Sequence, residues 1–319
     1  MSPESRMRTR QLLLAPVIAL VAAFAVCPAA AAASEPRLLI NQDFPDPDVV
    51  KTPGGYFAFS TSTGSGRVPV ATATAPEGPW RVTGDALGAV PAWAKPDGGF
   101  WAPDVTQLPD GTFVLYFSAA KTAGGEMCLG AATAAKAAGP YTPAGDQPLV
   151  CVPEDHGDID PQTFLDADGT RYLLYKADGA ATGVPAAIWL QKLGADGRTL
   201  TGARTELLRA DLNAEKAVVE APSVVKTANR FLLFYSADTF QSSGYHTCYA
   251  SAPTVTGPFV KADAQFLSTE LLGAKVDAPG GADVVDGHIY FHGWLGGART
   301  ARGMYELPIS FPGDVPQLG

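Results

Sequence analysis

Acidic residues recur near one point of a repeated motif in this chain. Asp46 stands in Asp46-Pro47, Asp160 in Asp160-Pro161 and Glu220 in Glu220-Ala221-Pro222, while Asp104 follows Pro103. Brought into one space, the carboxyls of Asp46, Asp160 and Glu220 repel one another, and at least one then keeps its proton near neutral pH. One protonated and one ionised carboxyl are what acid–base cleavage of a glycosidic bond needs. Asp-Pro and Ala-Pro steps are also ordinary turn chemistry. That accounts for the prolines. It does not account for Glu220, which sits between the apolar Val218-Val219 and an apolar strand.

Five stretches share the plan that must position these groups. They are DPDVVKTPGGYFAFS from Asp46, APDVTQLPDGTFVLYFS from Ala102, DPQTFLDADGTRYLLYK from Asp160, VVEAPSVVKTANRFLLFYS from Val218 and APGGADVVDGHIYFHGW from Ala278. Their prolines (Pro47, Pro103, Pro161, Pro222, Pro279) are spaced by 56, 58, 61 and 57 residues. A period of this size marks a repeat architecture. Each copy reads as strand, tight turn, strand. Gly54-Gly55, Asp110-Gly111, Asp168-Gly169, Asn229 and Asp286-Gly287 are the expected positive-φ turn positions. The second strands are aromatic and aliphatic, as in sheets packed on both faces. The proline is expected at the start of the first strand, where a missing N–H costs little.

A Gly-Pro-aromatic step recurs between copies, at Gly78-Pro79-Trp80, Gly139-Pro140-Tyr141 and Gly257-Pro258-Phe259. It follows a third strand and leads into an outer one. Four short strands per period, five times over, predict an all-β chain: a five-bladed β-propeller with four-stranded blades around a central channel. A long β-sandwich would have to produce the proline register by coincidence. First strands line the channel. Asp46, Asp160 and Glu220, from blades one, three and four, therefore approach one axis from different sides. Asp104 is expected to orient neighbours. Asp166-Ala167-Asp168-Gly169 is too short for a calcium loop and reads as a hairpin turn.

Arg6, Arg8 and Arg10 precede an apolar run from Leu12 to Val26, followed by small residues at Ala29–Ala33. This reads as a secretory signal peptide over residues 1–33, too short for a comfortable membrane span. Phe24-Ala25-Val26 lacks the small residue expected directly before a lipid-modified Cys27, which favours a released, extracellular protein. Residues 34–319 then form a single domain with 20 basic and 31 acidic residues. That charge argues against nucleic acid or an anionic surface as partner and suits a neutral substrate. In an oxidising compartment two of the three remaining cysteines should pair. Cys128 and Cys151 are the expected disulfide, with Cys248 left as a buried thiol.

In this order and spacing FPDPDVV, FWAPDV, DIDPQTF and VVEAPSV resemble glycoside hydrolase family 43, over essentially the whole of residues 34–319. The resemblance implies a five-bladed propeller acting on arabinose- and xylose-containing plant polysaccharides. It implies Asp46 as general base, Glu220 as general acid, and Asp160 as the residue that raises the proton affinity of Glu220 and orients it. It implies inversion at the anomeric carbon. Trp101 is expected to stack on a sugar face, with a core role as the alternative. Phe44 is expected to wall the pocket, and Arg302 to contact the base and the substrate, with Arg299 as its competitor. Many family members carry Pro-Gly-His in the fifth blade, where this chain has Ala278-Pro279-Gly280-Gly281; His292 is expected near the axis and the substrate. No metal or cofactor is expected, although an ion on the propeller axis is conceivable, and Glu154–Asp158 reads as a solvated loop delivering Asp160. The expected activity is release of α-L-arabinofuranosyl units from arabinan or arabinoxylan by a monomer. The alternatives are an endo-1,5-α-L-arabinanase, a β-xylosidase, a fructosyl-transferring propeller and a non-catalytic sugar-binding propeller.

Overall fold

The computed structural model describes residues 34–319; the expected signal segment lies outside the described residues. A first strand, β1 (Arg37–Ile40), is set apart from its sequence neighbours. Blade one holds β2 (Asp48–Thr52), β3 (Gly55–Phe59), β4 (Pro69–Ala73) and β5 (Arg81–Asp85). Blade two holds β6 (Phe100–Gln107), β7 (Phe113–Ala120), β8 (Met127–Ala134) and β9 (Thr142–Pro143). Blade three holds β10 (Asp158–Leu165), β11 (Arg171–Ala177), β12 (Ala187–Leu193) and β13 (Leu200–Arg209). Blade four holds β14 (Val219–Lys226), β15 (Phe231–Ala237), β16 (His246–Ala252) and β17 (Val260–Lys261). Blade five holds β18 (Asp277–Val285), β19 (His288–Trp294) and β20 (Arg302–Ser310).

The fourth strand of blade five is β1, paired antiparallel with β20 through Arg37 with Glu306 and Leu38 with Tyr305. A short β21 (Gln317–Leu318) also pairs with β20. The ring is thus closed by the beginning of the described chain lying beside its end, a pairing that no repeat in the sequence announces. The first strands β2, β6, β10, β14 and β18 touch one another in ring order and surround the axis. Helix is confined, among the described residues, to four 3₁₀ turns. The core is split into interblade clusters, such as Phe59, Phe100, Phe117, Trp93 and Tyr141 between blades one and two. The Gly-Pro-aromatic steps share a cis peptide bond in all three copies. Cys128 on β8 is joined to Cys151, with their Cα atoms 4.7 Å apart, and Cys248 is a buried free thiol.

The prolines occupy a different place from the expected one. In β6, β10 and β14 they sit inside the strand, at a bulge between Trp101 and Asp104, Ile159 and Gln162, and Glu220 and Ser223. The residue before each is left-handed: φ is 52° at Asp46, 43° at Ala102, 57° at Asp160 and 49° at Ala221. In blade five the residue that plays this part is Gly281 (φ 60°), followed by Ala282 and Asp283, three residues beyond Ala278-Pro279-Gly280. The expected fifth copy is therefore out of register. Two bulges in β18, rather than one, move its axial segment on. Gly281 also has no room for a side chain: a Cβ there would lie 2.8 Å from His292 Nδ1. Among the turns, Gly55, Gly111, Gly169 and Gly287 take positive φ as expected. Asn229 does not, and is held by Asp314 instead.

Non-glycine residues with positive φ persist only where their surroundings over-determine them. Here each N–H finds an acceptor beside it. Asp46 donates to His292 Nδ1 (3.1 Å), Ala102 to Thr61 Oγ1 (2.8 Å), Asp160 to Ser118 Oγ (3.0 Å) and Gly281 to Ser236 Oγ (2.9 Å). Each acceptor lies on the second strand of the preceding blade or directly after it, and all four are buried. A second tier lies deeper along the axis. Asp48 accepts from Val105 N–H (2.9 Å), Asp104 from Thr163 N–H (3.0 Å) and Asp283 from Val49 N–H (2.9 Å), each tying one blade to the next.

These axial carboxyls sit close together in a buried space, and their proton affinities rise. Asp104 is pushed up to about 7 by burial, with hydrogen bonds from Thr163 opposing and the charge of Asp283 adding. Asp283 is pushed up to about 6 by burial, and Asp48 is raised by burial and by both neighbours. A carboxyl whose folded pKa exceeds its unfolded one contributes stability that is complete below the unfolded value and is lost as pH rises through the folded one. The window here runs from about 4 to about 7. Thr163 can accept as well as donate, so Asp104→Asn is compatible with the site. We expect Asp104→Asn to raise the melting temperature at pH 8 by on the order of 5 °C relative to the parent and to change it little at pH 4. Melting curves at both pH values check this; equal destabilisation at both would contradict it.

Candidate active site

The left-handed bulges decide which way the residues around each proline point. At Asp46 the carboxylate enters the channel between two donors, with His292 alongside. The Thr61 hydroxyl donates to Oδ2 at 2.6 Å, and the Arg302 guanidinium reaches Oδ1 at 3.2 Å and Oδ2 at 3.5 Å. His292 Nδ1 lies 3.2 Å from Oδ1. Burial alone would raise this carboxyl's pKa. Arg302 first, then His292 and Thr61, outweigh it and hold Asp46 well below the usual carboxylate range. His292 is itself pushed down by burial and by Arg302, so it stands neutral beside Asp46.

Asp160 enters from blade three. Its Oδ2 accepts the N–H of Ala221 in blade four at 2.9 Å, which ties the two strand starts together. Burial pushes Asp160 up to about 7, the charge of Glu220 adds, and Lys176 opposes. Asp46 adds a further upward push, so all three predicted carboxyls sense one another. The axial cavity is lined by both Asp46 and Asp160.

Glu220 lies one residue ahead of the left-handed Ala221, opposite Ser236 in the β14–β15 pairing. Both of its oxygens are held. The Tyr245 hydroxyl donates to Oε1 at 2.8 Å and Lys176 Nζ donates to Oε2 at 2.8 Å. The Tyr245 ring stacks on His292, with centroids 5.9 Å apart and planes within 6°. A continuous set of contacts therefore runs from Glu220 through Tyr245 and His292 to Asp46. Tyr245, Lys176 and Thr61 were not among the expected residues. Tyr245 lies in a loop with no motif. Lys176 did carry a signal: it replaces the Ser or His that ends the apolar run in other repeats.

The remaining expected residues divide. Arg302 reaches Asp46 as expected and packs its guanidinium over Phe240 (4.9 Å) and Trp294 (5.7 Å). Its competitor Arg299 is engaged elsewhere, in a two-pronged pair with Asp277. Trp101 is 40% exposed at the start of β6 with its indole against Gly99, so it belongs to the surface near the strand starts and not to the core. Phe44 does not wall a pocket. It is fully buried among Ile40, Val49 and Met304, because its N–H is drawn onto the carbonyl of Arg302 at 2.7 Å and the ring turns into the core. His292 is only 1% exposed, which leaves it no surface for a sugar; its contacts are Asp46, Tyr245 and Arg302. The Glu154–Asp158 segment is tied down by Asp155 on Arg204 and by Asp158 Oδ2, which accepts from Val152 N–H at 2.7 Å. Among the described residues no group of three or more His, Cys, Asp or Glu is placed to hold a metal ion.

One carboxylate clamped in its ionised form and a second that burial pushes up to about 7, in one channel, are an arrangement suited to acid–base chemistry. Comparison with known proteins points the same way. The sequence profile of glycosyl hydrolases family 43 matches residues 36–294. An extracellular endo-α-(1→5)-L-arabinanase 2 of Bacillus subtilis is 26% identical over 150 residues, 41% of this chain and 32% of that relative's length. Among solved structures, a thermostable family-43 glycoside hydrolase superposes with a TM-score of 0.78 at 23% identity, covering 87% of this chain and 93% of the other. An endo-1,4-β-xylanase from Bacteroides thetaiotaomicron superposes with a TM-score of 0.73 at 24% identity, covering 88% and 96%. These two show a shared fold. The family match runs through every strand start that carries Asp46, Asp160 and Glu220, and on that ground the chain belongs to glycosyl hydrolases family 43.

Proposed function

We propose that this chain is a secreted, monomeric inverting glycosidase that removes α-L-arabinofuranosyl units from arabinan or arabinoxylan. Asp46 is the general base that activates water, Glu220 the general acid that protonates the leaving oxygen, and Asp160 the residue that raises the proton affinity of Glu220 and orients it. The observation that carries this reading is the opposite treatment of two carboxyls: Asp46 is driven below the usual range while Asp160 is pushed up to about 7. The ionised state is the one a general base needs, and it sets Asp46 apart from the carboxyl that burial raises. Inversion asks for a water between base and acid, with carboxyls about 6.5–9.5 Å apart. Entry of the two groups from blades one and four suits that gap.

The arabinan assignment draws on the similarity to an enzyme named as an arabinanase. That relative's name also favours endo action as a second reading, and the structural likeness to a xylanase keeps β-xylosidase third. A sugar-binding propeller without turnover is disfavoured, since binding alone has no use for carboxyls pushed apart in proton affinity. Secretion as one domain of residues 34–319 rests on the signal-like residues 1–33 and on the Cys128–Cys151 pairing, which suits an oxidising compartment.

On linear 1,5-arabinan the expected product from the outset is arabinose alone; a ladder of oligosaccharides would move the reading to endo action. Proton NMR of the first-formed sugar should show the inverted anomer, whereas retention would indicate a covalent intermediate and remove Asp46 as base. Glu220→Gln should lower kcat by about 10³-fold with sugar binding kept, measured by kinetics and calorimetry. Arg302→Met should move the acidic limb of kcat/KM upward by about 1–3 pH units, because the charge that holds Asp46 ionised is gone. An unmoved limb would separate Arg302 from the base.

A further inference from the structure

The repeat that builds the channel is broken at one position, and the break faces the acid. Two residues along from the residue opposite the axial position, each second-strand segment carries Thr61, Ser118, Lys176, Ser236 or His292. In four blades this side chain accepts the N–H of the left-handed residue in the next blade. A lysine ammonium has no lone pair to accept with. In blade three the task passes to Asp160, whose Oδ2 takes the N–H of Ala221. Lys176 is thereby released from the structural pattern, yet it is 4% exposed, a poor place for an unpaired cation.

Its ammonium is divided between two carboxylates, Glu220 Oε2 at 2.8 Å and Asp178 Oδ1 at 2.7 Å. Glu220 is 14% exposed and Asp178 is 35% exposed, so one partner faces the channel and the other faces solvent. A cation and a hydroxyl donating to its two oxygens favour the ionised form of a carboxyl that must first hold a proton in order to deliver it. The groups that act on Glu220 are Lys176 from β11, Asp160 from β10 and Tyr245 ahead of β16, with His292 on β19 and Asp46 ahead of β2 beyond them. Of these, only Lys176 carries a positive charge in direct contact with Glu220, and only Lys176 has a second carboxylate to move to.

Resting on the assignment of Glu220 as the acid, we propose that Lys176 and Asp178 form a positioning pair that sets how readily Glu220 takes up and gives its proton. When the ammonium leans to Asp178, the Oε2 oxygen of Glu220 is free to take up the proton that it will give to the leaving oxygen. When it leans to Glu220, the carboxylate left after proton donation is stabilised. Neither residue touches the sugar; both act through Glu220.

Neutralising each partner should have opposite effects on the pH profile, which a merely structural role would not produce. Lys176→Ser restores the side chain type that two other blades use, so the fold should accept it. It should move the alkaline limb of kcat/KM upward by about one pH unit, since Glu220 loses its cation. Asp178→Asn should move that limb downward, since Lys176 is left to Glu220 alone. Both are measured on the arabinoside that the parent hydrolyses best, with melting curves to show that the variants are folded. A limb that stays in place in both variants, or moves the same way in both, overturns the proposal. The same comparison is made on free protein by ¹³C-carboxyl titration, with the Glu220 resonance assigned by its loss in Glu220→Gln. There the Glu220 midpoint should rise in Lys176→Ser and fall in Asp178→Asn, and an unchanged midpoint overturns the proposal even if no substrate is found. Full activity of Glu220→Gln, by contrast, would overturn the acid assignment and leave the titration to decide the pair.

Discussion

The structure depends on satisfying the N–H of a left-handed residue at the start of every inner strand. Asp46, Ala102, Asp160, Ala221 and Gly281 all adopt this conformation, which an L-residue enters only at a cost. An acceptor from an adjoining blade meets each one at 2.8–3.1 Å. The bond does two things. It holds a bulge that turns side chains into the channel, and it clips neighbouring blades at the axis, where the strands are closest. The axial aspartates add a second tier of clips below. Together with the apolar clusters between blades, they make the channel wall a continuous hydrogen-bonded surface rather than five separate edges.

The site is this same framework with a few members exchanged. In blades one and three the left-handed residue is an aspartate, and in blade four a glutamate precedes it. His292 stands where Ser118 and Ser236 stand elsewhere. It serves the backbone of Asp46 with Nδ1 while its ring supports Tyr245. Lys176 stands at the equivalent place in blade three and supports no backbone group. Buried charge is costly unless paired, and here every charged member has its partner: Arg302 with Asp46, Lys176 with Glu220 and Asp178. Asp160 has no cation in direct contact, and burial first, with the charge of Glu220 adding, carries it upward against the pull of Lys176. The three carboxyls are thus made unlike one another by their neighbours, and that difference is the basis of the acid–base reading.

Much of this was legible in the chain itself. The near-regular spacing of the five prolines, four of them in structural register, the glycine turns and the Gly-Pro-aromatic steps specify five four-stranded blades, because strand periodicity and turn chemistry are local and repeat with the sequence. Asp46, Asp160 and Glu220 were visible as departures within the repeat, and Cys128 with Cys151 as a pairing within one blade's reach. Phe44's nearness to Asp46 along the chain suggested the pocket, but burial is decided by what packs around a side chain, and its ring lies in the core. His292 lies beside Asp46 near the axis as expected, with its ring buried against Tyr245.

What only the tertiary structure decided are the matters that involve residues far apart in sequence. β1 closes the fifth blade through a pairing across some 270 residues, and no local signal marks it. The fifth copy slips by three residues because two bulges, not a proline, set its axial segment. Asp46 meets His292 and Arg302 across 246 and 256 residues, and Lys176 meets Glu220 across 44. A sequence states which groups are available and how the backbone around them bends. A proton affinity depends on burial and on charges a few ångströms away, and those are set only when the ring of blades brings distant strand ends to one axis.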